Sequence, residues 1–113
     1  MVVEDCLFCG IVAGDVDAEV VHATERTVAF RDLNPQASTH VLVVPRDHYA
    51  NGAELAAADP VTTAELLTAA KAVAEADGHD SYRMVFNTGA DAGQTVFHAH
   101  LHVLAGPMKG LPG

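Results

Sequence analysis

The sequence predicts an α+β fold, an approximately five-stranded, mainly antiparallel sheet with one long helix and a short N-terminal helix. Short β-branched and apolar runs are separated by only a few residues, as in hairpins. Only one segment has a helical pattern long enough to connect parallel strands, so repeated βαβ units cannot be built. Half of the 113 residues are hydrophobic, which is enough for the core of one domain over residues 1–113.

The short helix comes first, and the strands follow along the chain. Asp5 can cap a helix over residues 6–12, and Gly14 can end it. Strands are predicted where β-branched or apolar runs are bounded by turn residues: 20–23, 27–31, 40–44, 82–87 and 96–104. Thr24-Glu25-Arg26 would close a hairpin between the first two, and Pro45 would end the third.

The long helix has the clearest terminal signals. Asp59 is a suitable N-cap, and Pro60 suits the first helical position because that N–H has no partner within a helix. An apolar stripe through Leu66, Ala70 and Val73 predicts a helix that closes near Gly78.

Composition excludes several classes of partner. The formal net charge is −9 with only six Lys and Arg, which gives no basic surface for nucleic acid or anionic lipid. No apolar run approaches the roughly 20 residues needed to cross a bilayer, and no basic segment followed by an apolar one opens the chain. We therefore expect a cytoplasmic protein whose partners are small molecules.

Three histidines on alternate positions, His98, His100 and His102, are the most informative feature. On a strand they would share one face, with Ala99 and Leu101 turned to the core. A row of neutral imidazoles beside the Gly93-Gln94-Thr95 segment suits attack on a phosphate, because loop amides can hold the anion. A zinc site and a solvated strand face are the alternatives; the glycine-bearing loop favours catalysis, since a metal site has no need of it.

Cys6 and Cys9 form a Cys-x-x-Cys pair. A structural disulfide is disfavoured in a chain without a secretion signal, and a redox pair would lie between a strand and a helix of a βαβ unit. Zinc is the preferred interpretation, and two buried free cysteines are the alternative.

At this point the chain resembles the histidine triad family, whose signature is His-φ-His-φ-His-φ-φ with φ hydrophobic. Residues 98–104 match it at every position, and the resemblance extends over nearly the whole chain. Within the family it looks most like the Hint branch of purine nucleoside phosphoramidases. The stretches that support this are 30–37, 39–45, 82–85, Asn87 and 93–97.

The resemblance implies a role for most of these positions. His100 would be the nucleophile, with its other ring nitrogen bonded to a backbone carbonyl. His102 and His40 would contact the phosphate or orient His100. By itself, a histidine such as His40 is often only a satisfied core residue. Asn87, Gly93 and Thr95 would bind the phosphate or leaving group. Asp32 would accept the ribose hydroxyls, and the purine pocket would be lined by Leu7, Phe8, Ile11, Phe30 and Leu33.

The resemblance also implies an assembly and a metal. Family members with this cysteine pair complete a structural zinc site, here with His48 and His98, and the family forms homodimers whose sheets join. A phosphate contact by His98 is the alternative to zinc binding. The expected function is hydrolysis of purine nucleoside 5′-phosphoramidates through a nucleotidyl-histidine.

Two other functions stay open at this stage. One is a dinucleoside polyphosphate hydrolase of the Fhit branch, against which stand the 82–85 segment and the short tail 108–113. The other is a zinc-stabilised, nucleotide-binding regulatory protein with little activity. Leu111 stands where some family members place tryptophan, which leaves leaving-group specificity open.

Overall fold

The computed structural model describes residue 3 and residues 5–107; the tail 108–113 lies outside them. Five strands form one antiparallel sheet in the order β1-β2-β3-β5-β4. The strands are β1 Val20–Ala23, β2 Thr27–Arg31, β3 Thr39–Pro45, β4 Arg83–Val85 and β5 Leu101–Ala105. The helices are α1 Leu7–Ala13, α2 Gly52–Ala58 and α3 Pro60–Ala76, with a short 3₁₀ turn at Ala90–Ala92. The α+β fold class is confirmed.

The two faces of the sheet support two separate hydrophobic clusters. Alternation along β3 places Val41 and Val43 in the cluster under α3, and Leu42 and Val44 in the cluster on the opposite face. Phe8 from α1 belongs to this second cluster. The fold is therefore a sheet with the long helix on one side and the short helix on the other. Among the described residues, no helix is long and apolar enough to span a membrane.

The expected ends of α3 and α1 are largely present. Asp59 caps α3 by accepting a hydrogen bond from the Thr62 N–H, and Gly14 ends α1 in the left-handed conformation with φ of 84°. Asp5, however, is not the N-cap of α1. Cys6 takes that position, and its Sγ accepts from the Cys9 N–H.

One helix was missed by sequence reasoning. α2 is seven residues long and is capped by Asn51, whose side chain accepts from the Glu54 N–H. Its mainly alanine and glycine composition gives no apolar stripe, and only Leu55 is buried. Gly52 is required there because a Cβ would come within 2.8 Å of the Phe86 ring.

The last two strands are shorter than predicted. β4 keeps only three residues of the expected 82–87, and Phe86 leaves the sheet to pack against Gly52. β5 begins at Leu101 instead of residue 96. Its partner β3 ends at Pro45, which has no N–H to donate, and the Ala99 N–H donates instead to the Tyr49 carbonyl. The alternation persists through this irregular segment, since Ala99 and Leu101 are buried in the cluster under α3.

Neighbouring leucines on α3 provide a test of this packing. Leu66 is fully buried and Leu67 is 43% exposed. Leu66→Ala should lower the free energy of unfolding by about 2–5 kcal/mol, since it leaves a cavity between α3 and the sheet. Leu67→Ala should change it by less than about 1 kcal/mol. Equal losses for the two variants in urea unfolding would contradict this placement of the helix.

Candidate active site and metal centre

A cavity of about 320 Å³ opens on the sheet face that carries α1. His100 and His102 lie at one side, and the loop with Asn87, Gly93 and Thr95 lies beside them. Asp32 and all five expected purine-pocket residues line the remainder: Leu7, Phe8, Ile11, Phe30 and Leu33. The structure thus gathers these sequence-selected residues around one space, large enough for a nucleotide-sized ligand.

His100 is held in one orientation by two contacts. Its Nδ1 lies 2.8 Å from the His98 carbonyl oxygen, which can only accept, so Nδ1 carries the proton and Nε2 has a free lone pair. The Phe8 ring packs edge-on against the imidazole, with ring centroids 5.0 Å apart. Burial lowers the pKa of His100, so the neutral, nucleophilic form prevails at pH 7.

His40 and His102 form a directed hydrogen-bonded chain. The Gln36 N–H donates to His40 Nδ1 over 3.0 Å, so neutral His40 carries its proton on Nε2. That Nε2 lies 2.9 Å from His102 Nδ1, which must accept, and His102 therefore carries its proton on Nε2. Burial lowers the pKa of both rings, and for His102, where the neighbouring histidines add to the effect, to about 4. His40 itself does not line the cavity.

Asp32, His40 and His102 lie close enough together to resemble a second metal cluster. The hydrogen-bond directions argue against a cation there. Since His40 Nδ1 accepts from a backbone N–H, its proton occupies Nε2, the atom that faces Asp32 Oδ2 at 3.4 Å and His102. A metal at Nε2 would have to displace that proton. The cluster is therefore a hydrogen-bonding unit.

Gln94 shapes the loop beside the histidines, a role that sequence reasoning did not assign. Gln94 is 3% exposed, and among the described residues its side chain bonds to backbone alone. Its Oε1 accepts from the Gly89 N–H, and its Nε2 donates to the carbonyls of Ala50 and Val96. Gly93, with φ of 97°, closes the 3₁₀ turn beside it. Thr95 is left exposed at the cavity. A buried amide with several backbone partners is not recognisable from sequence.

Four side chains that do not line the cavity converge on one point. Cys6, Cys9, His48 and His98 each offer a donor atom, and all four atoms lie within 4.8 Å of one another. The Sγ-to-Nδ1 distances are 3.4 Å for Cys6–His98, 3.4 Å for Cys9–His48 and 3.5 Å for Cys9–His98. Tetrahedral zinc with ordinary Zn–S and Zn–N bonds separates such atoms by about 3.6 Å.

The tautomer of His98 also fits a metal ligand. Its Nε2 lies 2.9 Å from the Pro45 carbonyl oxygen and so carries the proton, which leaves the Nδ1 lone pair directed at the two sulfurs. Burial lowers the pKa of His98 to about 4, so this ring is neutral. Both cysteines are free thiols. The residues fit a Cys₂His₂ zinc site, as the sequence led us to expect.

The triad thus divides between two sites. His98 turns toward the cysteines, whereas His100 and His102 line the cavity with ring centroids 5.0 Å apart.

Sequence reasoning missed several other residues that line the cavity. Leu42 could have been inferred from its position two residues after His40 on a strand; the loop residues Val16, Asp17 and Ala18 gave no signal, and neither Arg31 nor Val96 was assigned a role.

The fold and the arrangement of the histidines define an α+β protein with a histidine-lined cavity on one face of its sheet, and the comparisons with known proteins identify its family. A model of the HIT domain matches residues 13–108. The chain belongs to the HIT, or histidine triad, family. It is 40% identical over 104 residues to an uncharacterized HIT-like protein of Synechococcus elongatus, covering 91% of each.

Two further relatives carry functional names. The purine nucleoside phosphoramidase of Escherichia coli K12 is 32% identical over 105 residues, covering 91% of this chain and 88% of that protein. A HIT family hydrolase from Clostridium thermocellum superposes with a TM-score of 0.91 at 38% identity, covering 97% of both chains. These similarities support a hydrolase of the HIT family.

Metal content distinguishes the Cys₂His₂ cluster, which we expect to bind zinc, from the cluster of Asp32, His40 and His102, which we expect to bind none. We expect about one zinc per chain in purified, reduced protein, lost in Cys9→Ser because a thiolate ligand is removed. Asp32→Asn should keep the zinc, since Asp32 belongs to the other cluster, where the His40 Nε2 proton occupies the position that a metal would need. Elemental analysis of the three proteins measures this. Zinc-free wild type would refute the Cys₂His₂ site, and loss of zinc in Asp32→Asn would overturn the interpretation of the second cluster.

Proposed function

We propose that this protein hydrolyses purine nucleoside 5′-phosphoramidates through a nucleotidyl-His100 intermediate in the cytoplasm. The observation that carries the proposal is the fixed tautomer of His100. Its Nδ1–H is bound to a carbonyl, so the Nε2 lone pair is available beside the Gly93–Thr95 loop. The similarity to the phosphoramidase of Escherichia coli supports this choice of substrate.

The proposed reaction has two substitutions at phosphorus. His100 Nε2 bonds to the α-phosphorus as the P–N bond breaks, and the amine leaves with a proton from solvent. The ring becomes cationic without having to lose a proton, because Nδ1–H keeps its hydrogen bond to the His98 carbonyl. Water then attacks phosphorus and the bond between phosphorus and His100 Nε2 breaks, which releases nucleoside monophosphate and neutral His100 and returns one proton to solvent.

The remaining residues bind and orient the substrate. His102 Nε2–H donates to a phosphate oxygen, with Asn87 and the backbone near Gly93 and Thr95 holding the others. Asp32 accepts from the ribose hydroxyls, and the apolar residues around Phe8 and Phe30 hold the purine. Cys6, Cys9, His48 and His98 would hold a zinc ion, which would give structural support to the segment that precedes His100. Four protein ligands would leave no position on the metal for substrate.

The charge of the cavity favours a phosphoramidate over a dinucleoside polyphosphate. Among the described lining residues the single cationic one is Arg31, and its guanidinium points to the α3 face of the sheet, where it pairs with Asp77; Glu19 pairs with it too. Asp17 and Asp32 add negative charge. Each further phosphate of a polyphosphate would have to be held here without a basic side chain.

The first test is covalent catalysis. Turnover of an adenosine phosphoramidate should fall at least about 10³-fold in His100→Ala, because the nucleophile is lost, while nucleoside monophosphate still binds. Thr95→Ala, which removes one phosphate-holding hydroxyl, should cost about 10²-fold or less. Rapid quenching without acid should trap labelled nucleotidyl-histidine in the wild type.

His22→Ala is the matched control for these variants, since His22 lies on β1 away from the cavity. It should turn over like the wild type. Activity of His100→Ala within tenfold of wild type would refute the mechanism. A preference for diadenosine polyphosphates would favour the Fhit-type alternative, and negligible turnover of both substrates with nucleotide binding retained would favour a regulatory protein.

We also propose a homodimer in which two sheets join edge to edge. β4 is an edge strand, and Met84 on it is 46% exposed. Light scattering should give twice the 11.8 kDa chain mass at micromolar concentration. Met84→Lys should shift the protein toward monomer, because charge on an edge strand opposes pairing. Val20→Lys, on the other edge strand with 50% exposure, should not. A monomeric wild type would refute the dimer.

A further inference from the structure

Asp32 and His40 are each preceded by a residue whose side chain points to the α3 face of the sheet, the face opposite the cavity. Arg31 precedes Asp32 at the end of β2, and Thr39 precedes His40 at the start of β3. Thr39 shares its face with Val41, which is buried under α3. Asp32 is thus one peptide unit away from Arg31 on the α3 face, and His40 is one peptide unit away from Thr39.

Asp77, the C-cap of α3, binds both of these residues with one carboxylate. Arg31 donates from Nη1 to Oδ2 over 2.7 Å and from Nη2 to Oδ1 over 3.0 Å. The Thr39 hydroxyl donates to Oδ2 over 2.7 Å. Because that hydroxyl proton is committed to Asp77, Thr39 Oγ1 accepts from His79 Nε2 at 3.2 Å. The ends of two strands are therefore fastened to the end of one helix.

A carboxylate is electrostatically unfavourable at a helix C-terminus. Its stability at this position comes from its partners: the Arg31 guanidinium, and then the Thr39 hydroxyl, hold the pKa of Asp77 down at about 2. The fork of Arg31 fixes the direction of the contact as well as its charge, because two parallel hydrogen bonds define a plane.

The segment between these strand ends carries the hydrogen bonds that order the histidines. The Asp32 N–H donates to the His40 carbonyl over 2.9 Å. Within the same loop, the Gln36 N–H donates to His40 Nδ1 and so sets the tautomers of His40 and His102. A shift of either strand end would change the distance between that N–H and the ring.

We propose that Asp77 is a positioning residue for the catalytic cluster. It acts through Arg31 and Thr39 from the opposite face of the sheet, without contacting substrate. It keeps Asp32, His40 and the intervening loop in the geometry that fixes the His40 tautomer. Only its consequence for ribose recognition rests on the proposed function.

The first measurement needs no substrate. Ring ¹⁵N shifts of His40 in the ligand-free protein should show one tautomer in the wild type, with Nδ1 unprotonated. Asp77→Asn and Thr39→Val each remove part of the link between helix and strands, and both should show a mixture of tautomers. Thr39→Ser keeps the hydroxyl and should restore the wild-type shifts.

Asp59→Ala is the matched control, since it removes the cap at the other end of α3 and so destabilises the same helix. Its ring shifts should stay as in the wild type. Asp77→Asn and Thr39→Val that melt earlier but keep the wild-type tautomer would overturn the proposal. Should Asp77→Asn fail to fold, the Thr39→Val and Thr39→Ser pair decides the same question.

The second measurement concerns the ribose. If Asp32 accepts the ribose hydroxyls, the preference in kcat/KM for a ribose over a 2′-deoxyribose phosphoramidate should fall by about tenfold in Asp77→Asn, because small misplacements weaken oriented contacts. It should be unchanged in Asp59→Ala. A wild type without phosphoramidate turnover would refute the proposed function, while the ring shifts would still decide the role of Asp77. If Asp77→Asn shows mixed His40 tautomers but an unchanged preference for ribose, Asp77 positions the histidines alone. That result would refute its expected effect on ribose recognition.

Discussion

The direction of backbone hydrogen bonds is the constraint on which this site depends. A backbone N–H can only donate and a carbonyl can only accept, so one such bond to a neutral imidazole decides which ring nitrogen holds the proton. The Pro45 carbonyl decides it for His98, the His98 carbonyl for His100 and the Gln36 N–H for His40. Chemically identical side chains thus acquire different tasks from the peptide groups beside them.

These proton positions depend in turn on where the regular pairing between β3 and β5 ends. If β5 continued past Leu101 and paired with Pro45, the Pro45 carbonyl would face a strand neighbour instead of His98. Proline prevents the pairing because it lacks an N–H, and the freed carbonyl fixes the candidate zinc ligand. The same irregular segment supplies the His98 carbonyl that orients His100. The break in the ladder is therefore what allows the triad to serve two sites.

The sequence predicted much of this because its strongest patterns are local. Alternation around His100 identified the buried Ala99 and Leu101, and the Asp59–Pro60 pair located α3 correctly. It could not show where strands lose their partners, because pairing depends on distant residues such as Pro45. For the same reason the place of His40, behind His102 instead of on the cavity wall, emerged only from the structure.

The proposed function requires an acidic chain, with a formal charge of −9, to hold a phosphate without using a basic surface. In the described cavity the available donors are uncharged, since the Arg31 guanidinium is committed to Asp77. They are backbone amides, the Asn87 amide, the Thr95 hydroxyl and the N–H of neutral imidazoles. Neutral donors stabilise a phosphate less strongly than cations do, but they also bind the product monophosphate less strongly. Burial lowers the pKa of His100 and keeps the ring uncharged. In the proposed reaction its lone pair would therefore stay available while the surrounding N–H groups bind the phosphate. Low charge at this site would then serve both nucleophilic attack and product release.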